Sequence, residues 1–309
     1  MMKAWFYKEH GSVNVLQFGE IEVPSLGPGQ VLIKVRAAAL NPVDFKLRQH
    51  GLRQNIAFPA VPGGDFAGVV VDVGDGVSKF EKGDEVYGDI LESSEGNPRL
   101  LGTLAEYTAA AEHLLALKPS NLSFEEAASL PLALLTALLA FDTVDFHKGQ
   151  SVFIVGGAGG VGSLAIQLAK NVFEASRIVS TCSTGKAEFV KSLGPDLVVD
   201  YTKQSYEQVD EKFDFVFDTI GESSKSHVVA KEEGKIVDIA SFPPHPRAVN
   251  VRLMHPHGRN LERLSEYLES GKLKAVIDPK SPYAFSDVVE AFKHLESGRA
   301  RGKIVISPI

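Results

Sequence analysis

The stretch SVFIVGGAGGVGSLAIQLAK, from Ser151 to Lys170, constrains the fold of this chain more than any other. Val152 to Val155 form an apolar, β-branched and aromatic run of strand length. The chain then passes through glycines into a segment where Leu164, Ile166, Leu168 and Ala169 supply one apolar helical face. Gly157, Gly159 and Gly162 have the G-x-G-x-x-G spacing of a phosphate-binding turn. In such a turn the first glycine permits the tight bend, the second lets backbone approach a pyrophosphate, and the third lets helix and strand pack closely. The helix starting near Val161 would point its free N–H groups and positive dipole end at the phosphates, with Gly157, Ala158, Gly159, Gly160, Val161 and Gly162 as the cradle. The chain holds 28 glycines, enough to produce the spacing by chance, so the strand–turn–helix context carries the reading.

At 309 residues the chain is too long for one compact core of ordinary size and reads as two domains. The first 120 or so residues are β-rich: Gln30 to Ala37, Gly68 to Val73 and Asp84 to Gly88 are short valine-rich runs separated by Gly, Pro and Asp turns. From Ser151 the texture alternates. Strands are expected at Ser151 to Val155, Ser176 to Thr181, Leu197 to Asp200, Phe213 to Asp218 and Lys235 to Ile239. Helices are expected at Gly160 to Val172, Lys186 to Ser192, Tyr206 to Asp210 and Ser223 to Ala230. Crossovers of this length imply parallel pairing and a doubly wound α/β sheet. Beyond Pro256 the pattern changes to a helix at Asn260 to Ser270, a second at Phe285 to Leu295 and a final strand at Gly302 to Ile306. The expected division is a β-barrel domain of residues 1–121 plus 256–309, with a nucleotide-binding domain of residues 122–255 inserted in it.

Bulk properties exclude several classes. A net charge of -7 argues against a nucleic-acid surface, and no apolar run reaches the length of a membrane span. The one cysteine, Cys182, allows no intramolecular disulfide and no cysteine-based zinc site, and it reads as a packed strand-end side chain. His255 and His257 lack partner cysteines and read as a solvated loop. The N-terminus resembles neither a signal nor a transit segment, which points to the cytoplasm, or to a plastid if a transit peptide had been removed. Pro243, Pro244 and Pro246 follow the strand expected to be last and would blunt edge pairing, which favours a monomer or weak homodimer.

Cofactor choice is legible after the second strand. NAD-preferring folds place an acid at that strand end to bond the ribose 2′-hydroxyl. Here Thr181-Cys182-Ser183-Thr184-Gly185-Lys186 offers hydroxyls and a cation instead, which suits a 2′-phosphate and hence NADPH, with Ser183, Thr184 and Lys186 as its ligands. Two further loops, Asp218 to Gly221 and Ala240 to Phe242, fall where such a sheet opens its ligand crevice, so Ile220, Gly221, Ser241 and Phe242 are expected at the nicotinamide half.

Seven motifs in order, ALNPVDFK, VPGGDFAGVVVDVG, KGDEVYG, GTLAEY, LPLALLTAL, GGAGGVG and ARGKIVI, resemble the medium-chain dehydrogenase/reductase superfamily and its zinc-free quinone oxidoreductase branch, along almost the whole chain. Within that branch the chain looks most like the plant enone oxidoreductases and alkenal reductases. The resemblance implies a Rossmann domain inserted in a GroES-like β-barrel catalytic domain. Where zinc-dependent members place a cysteine ligand this chain has Asn41, and where they have His-Glu it has Gly64-Asp65, so no metal is expected. The resemblance also sets Tyr201 to close over the 2′-phosphate and Thr136 near the nicotinamide ribose. Lys46 is its candidate for polarising a carbonyl or supplying a proton, and Asn41 for orienting the acceptor or the ribose.

Reduction of an activated alkene puts negative charge on the carbonyl oxygen and calls for hydrogen-bond donors. Lys46 and Asn41 are the first candidates, Tyr87 is a third, and Phe66 is a candidate apolar wall of the substrate pocket. Each has a plainer alternative: Asn41-Pro42 as a turn signal, Lys46 as an exposed helix residue, Phe66 as core. The implied activity is NADPH-dependent reduction of the C=C bond of small uncharged α,β-unsaturated carbonyls. Quinone reduction by the same site is one alternative, and a non-catalytic NADPH-binding protein is another.

Overall fold

The computed structural model describes residues 1–51, 56–91, 101–251 and 256–309. His255 lies outside the described residues. Two compact units form: one from Met1–Leu132, Met254–Glu269 and Ile277–Ile309, the other from Ala133–Leu253 and Ser270–Val276.

The first unit contains β1 (Met2–Phe6), β2 (Gln17–Ile21), β3 (Gln30–Leu40), β4 (Asp65–Val73), β5 (Glu85–Asp89), β6 (Tyr107–Ala111) and β7 (Leu115–Leu117). β1 and β2 pair with each other. The alternation of buried Val31, Ile33 and Val35 with half-buried Leu32 and exposed Lys34 and Arg36 gives the first part of β3 one buried face, and it is the central strand of an antiparallel sheet. β4 lies on one side of it, followed by β5 and β7; β6 and the last strand of the chain, Ile304–Ile306, also pair with β3. Helix α1 (Pro42–His50) leaves the end of β3 directly, so β3 aims the start of the helix. Phe66, expected as a pocket wall, is completely buried in the core of this sheet with Val31, Ile33, Val70 and Val86. Its position on β4 faces the apolar side of the sheet, and it offers no surface to a substrate.

The second unit carries β8 (Ser151–Val155), β9 (Arg177–Cys182), β10 (Leu197–Asp200), β11 (Phe213–Asp218), β12 (Ala230–Asp238) and β13 (Ala248–Asn250). All neighbouring pairs are parallel and the order is β10-β9-β8-β11-β12-β13. This is the 3-2-1-4-5-6 order of a Rossmann sheet, with its switch point between β8 and β11. β8, β10 and β11 begin and end where the sequence places them. Several elements differ. The helix expected at Tyr206 to Asp210 is a single 3-10 turn, Tyr206–Gln208, and that expected at Ser223 to Ala230 is a one-turn α-helix, Ser223–Ser226, followed by a 3-10 turn, His227–Val229, because these short segments lack the length to sustain a longer α-helix; β12 starts at Ala230, ahead of the expected Lys235. The expected helix at Asn260 to Ser270 is two short ones, Gly258–Glu262 and Ser265–Glu269. β13 is a sixth strand beyond β12, so the three prolines lie in the link between the last two strands and do not follow the final one.

The core of the second unit is strongly aromatic on one side. Phe141, in the helix Pro131–Thr143, stacks on Phe173 with centroids 4.7 Å apart and meets Phe146 and Phe215 edge-on at 5.1 and 5.3 Å. Phe141→Ala removes the shared member of these contacts and should lower unfolding stability by about 3–5 kcal/mol, measured by urea denaturation.

Candidate active site

β8 runs completely buried into the glycine turn. The left-handed residue of that turn is Gly156, at φ +87°, one position before the first glycine of the spacing. Gly157 is required for a different reason: a Cβ there would overlap Ser180 Oγ on β9 and press on Ile166 in the following helix. Thr181 of β9 holds the turn, its Oγ1 accepting from Gly156 N at 3.0 Å and its carbonyl from Gly157 N at 2.9 Å. A Cβ on Gly162 would overlap the Gly156 carbonyl, so helix and turn touch there through bare backbone. Gly159 differs. Among the described residues a Cβ on it would come no closer than 3.6 Å to any atom, which leaves its outer face clear of them. It caps the helix Gly160–Asn171, and Ser163 N closes the first helical bond onto Gly159 O at 3.0 Å. The N–H groups of Gly160, Val161 and Gly162 therefore have no intrahelical acceptor. A clear face, free amides and a positive helix end fit a pyrophosphate.

Beside this turn the end of β9 carries half-buried Ser183 and Lys186 and exposed Thr184. Tyr201 is brought alongside by its N–H, which donates to Cys182 O at 3.1 Å, and its ring is 52% exposed. Sequence reading finds no acid at the end of β9; the register places one across from it, with Asp200 of β10 paired to Cys182. Asp200 is occupied. Its oxygens accept from Thr184 Oγ1 at 2.6 Å and Thr202 Oγ1 at 2.7 Å, and these hydroxyls hold its carboxyl below the ordinary carboxylate range. Thr184 thus supports the loop from within. Cys182 is buried, which pushes its thiol up and leaves it inert.

Two strand-end aspartates that sequence reading did not single out shape the remaining loops. Asp218 accepts from Ile220 N, Gly221 N, Glu222 N and Ser226 Oγ at 2.8–3.1 Å, while burial pushes its carboxyl up. Asp238 Oδ1 accepts from Ala240 N and Ser241 N, both at 2.8 Å. Gly221, at φ +91°, packs so close to Ser241 that a Cβ would lie 3.2 Å from Ser241 N. Ile220 and Phe242 project outward, 50% and 73% exposed. Thr136 is buried in its helix, and its hydroxyl makes no hydrogen bond among the described residues.

In the first unit Asn41 stands at the start of α1, 2% exposed. Both polar atoms of its side chain are used internally: Nδ2 donates to Asp65 Oδ2 at 2.8 Å, and Oδ1 accepts from Lys303 Nζ. Lys303 Nζ also donates to Asp65 Oδ2 at 2.8 Å, and Asp65 Oδ1 accepts from Leu132 N at 2.8 Å. Asp44 Oδ2 reaches back to Asn41 N at 2.7 Å. Asn41 therefore acts as a buried cap and not as a group presented to an acceptor, because its amide is consumed by a charged pair.

Tyr87 is completely buried on β5, its hydroxyl meets neither solvent nor a partner among the described residues, and burial pushes its phenol up. The third expected donor is thus an interior side chain. Lys46 is half-buried on α1, and no hydrogen bond or ion pair among the described residues holds its ammonium. The far end of α1 is fixed by Arg48. That side chain is fully buried over Phe292 and pairs with Glu296 at 2.6 Å. His257 Nδ1 accepts from Arg259 N, and no cluster of three or more His, Cys, Asp or Glu suited to a metal occurs among the described residues.

Burial, with help from the Asp65 charge, pushes the Asp44 carboxyl up to about 7, against the Asn41 N–H bond and the Lys303 and Arg48 charges. An acid raised in the folded state binds protons there that the unfolded chain has released. Its ionisation therefore costs folding stability as pH rises from the ordinary carboxylate range towards 7. Relative to Asp44→Asn, the parent protein should gain about 2–3 kcal/mol of unfolding stability when the pH is lowered from 8 to 5, measured by denaturant unfolding at both pH values.

The family described as "Zinc-binding dehydrogenase" matches residues 193–306, and the "Alcohol dehydrogenase GroES-like domain" matches residues 27–120. The chain is 53% identical over its whole length, and over 79% of the relative, to a "2-methylene-furan-3-one reductase" of Solanum lycopersicum. It is 49% identical, covering 100% of itself and 80% of the relative, to an "NADPH-dependent alkenal/one oxidoreductase, chloroplastic" of Arabidopsis thaliana. A solved quinone oxidoreductase from Coxiella burnetii superposes with a TM-score of 0.89 at 32% identity, covering 100% of this chain and 99% of the other. The first family description implies zinc, and the residues here do not fit one. Gly64 has no room for a ligating side chain, since even a Cβ would fall 2.5 Å from Asp89 Oδ1, and Asp65 is bonded to the Lys303 ammonium.

Proposed function

Because this chain belongs to the medium-chain dehydrogenase/reductase superfamily, among its quinone-oxidoreductase-like members, we propose that it reduces the C=C bond of small uncharged α,β-unsaturated carbonyls with NADPH and without zinc. The observation that carries this reading is the identity of about half, over the entire chain, to the two reductases named for enone and alkenal substrates.

The glycine turn fits the cofactor. Gly157 to Gly162 would hold the pyrophosphate, Ser183, Lys186 and Tyr201 the 2′-phosphate with Thr184 supporting their loop, and Thr136, Ile220, Gly221, Ser241 and Phe242 the nicotinamide half. When bound, NADPH supplies a hydride to the substrate's β-carbon. The alkene electron pair then moves onto the carbonyl oxygen as an enolate, and a proton added at the α-carbon completes the saturated carbonyl. Lys46 is the donor for that oxygen: it is the first-domain candidate whose polar head no neighbour consumes, whereas Asn41 and Tyr87 are turned inward. An ammonium bonding the developing oxyanion is stronger there than on the neutral ketone, which is what lowers a barrier.

Quinone reduction is the second reading, supported by the Coxiella structure and by a relative 32% identical in spinach named as a quinone oxidoreductase homolog. Relatives named as chloroplastic support a plastid location over the cytoplasm. The edge strand β13 has only three residues, which blunts edge pairing and supports a monomer or weak homodimer, to be read by analytical ultracentrifugation.

Lys46→Ala should lower kcat/KM for methyl vinyl ketone about a hundredfold while leaving the NADPH dissociation constant unchanged; a loss within about threefold would remove Lys46 from this role. Lys186→Ala should raise KM for NADPH about tenfold and leave that for NADH unaltered, in steady-state assays following cofactor absorbance.

A further inference from the structure

One motif of the sequence, the ARGKIVI segment, is not absorbed by the proposed chemistry, and its lysine is among the least expected side chains of the structure. Lys303 is 4% exposed. It immediately precedes the strand Ile304–Ile306, whose first residue pairs with Leu40 at the end of β3. That register sets Lys303 opposite Asn41, 262 positions away in the chain. Its ammonium bonds Asn41 Oδ1 and Asp65 Oδ2, and Asn41 Nδ2 bonds the same Asp65 oxygen, so lysine, carboxylate and amide close a triangle. The triangle contains the N-cap of α1. A strand from the C-terminus and the start of β4 together fix where that helix begins and in which direction it sets out, while Arg48 and Glu296 fix its other end. Lys46 lies between the two anchors.

We infer that Lys303 is a positioning residue for the reduction: through Asn41 it holds the first turn of α1 so that Lys46 presents its ammonium to the substrate oxygen. The inference rests on the role proposed for Lys46. A helix start tied only by its backbone could tilt by a fraction of an ångström to an ångström, and misplacement of that size is enough to cost a donor much of its effect on a transition state.

The test is a double-mutant cycle with methyl vinyl ketone and NADPH. Lys303→Met should lower kcat about thirtyfold with the NADPH dissociation constant unchanged, and in a Lys46→Ala background it should cost less than about threefold more. Asn41→Ala keeps the Lys303–Asp65 pair and breaks only its link to the helix, so it serves if Lys303→Met fails to fold; its loss should likewise vanish in the Lys46→Ala background. Equal losses in both backgrounds would overturn the positioning role while leaving Lys46 in place. A Lys46→Ala enzyme as active as the parent would instead overturn the reading on which the inference stands. Unchanged kcat in Asn41→Ala would also overturn the inference.

Discussion

One ammonium buried among carboxylates organises the β-rich unit. Lys303 faces Asp65 directly, and Asp44 and Asp89 lie close enough to feel its charge. Such an arrangement is costly to bury and endures because its geometry is nearly complete: Asp65 alone accepts from Lys303, Asn41 and Leu132. Taking away one member would leave a charge stranded in the interior, at about 3–5 kcal/mol. Lys303 at the centre, with Arg48 acting on Asp44 from the side, does not offset the burial of three carboxyls. Burial and the Asp65 charge push both the Asp89 and Asp44 carboxyls up, so the cluster holds protons that exposed carboxyls would release. A buried ion pair of this kind is weak evidence for stability, and its bonds converge on the start of α1.

The second unit solves an opposite problem. There the functional surface is backbone, and the sequence has been stripped of side chains where backbone must meet backbone or ligand. Gly156 supplies a left-handed turn, Gly157 and Gly162 remove clashes, and Gly159 leaves space. Side-chain acids return only at the ends of β11 and β12, where Asp218 and Asp238 satisfy the loop amides that would otherwise be unbonded beside the crevice.

Local patterns made much of this legible. β8, β10 and β11 are short, mostly apolar, β-branched or aromatic runs between turn residues, so their limits could be read from the local sequence. β13 could not, because three residues following a proline-rich link have no periodicity to read. The glycine spacing located the turn but not its left-handed residue, Gly156, which lies just outside the spacing, since conformation depends on how Thr181 of the next strand holds the loop. Asn41, Lys46 and Tyr87 looked alike as donors in one dimension; their separation into cap, free ammonium and interior phenol is a matter of burial, fixed by partners as remote as Lys303. Phe66 illustrates the same limit, because an aromatic on a strand faces core or pocket according to the sheet around it.

The proposed chemistry delivers a hydride to the β-carbon of a conjugated carbonyl. Turnover of an exocyclic enone with NADPH carrying deuterium at the transferable position, with the product read by NMR, follows that hydride. The expected product is a saturated carbonyl compound bearing one deuterium at the former β-carbon. Deuterium on the carbonyl carbon of an allylic alcohol, or no turnover of enone while a quinone is reduced, would contradict it.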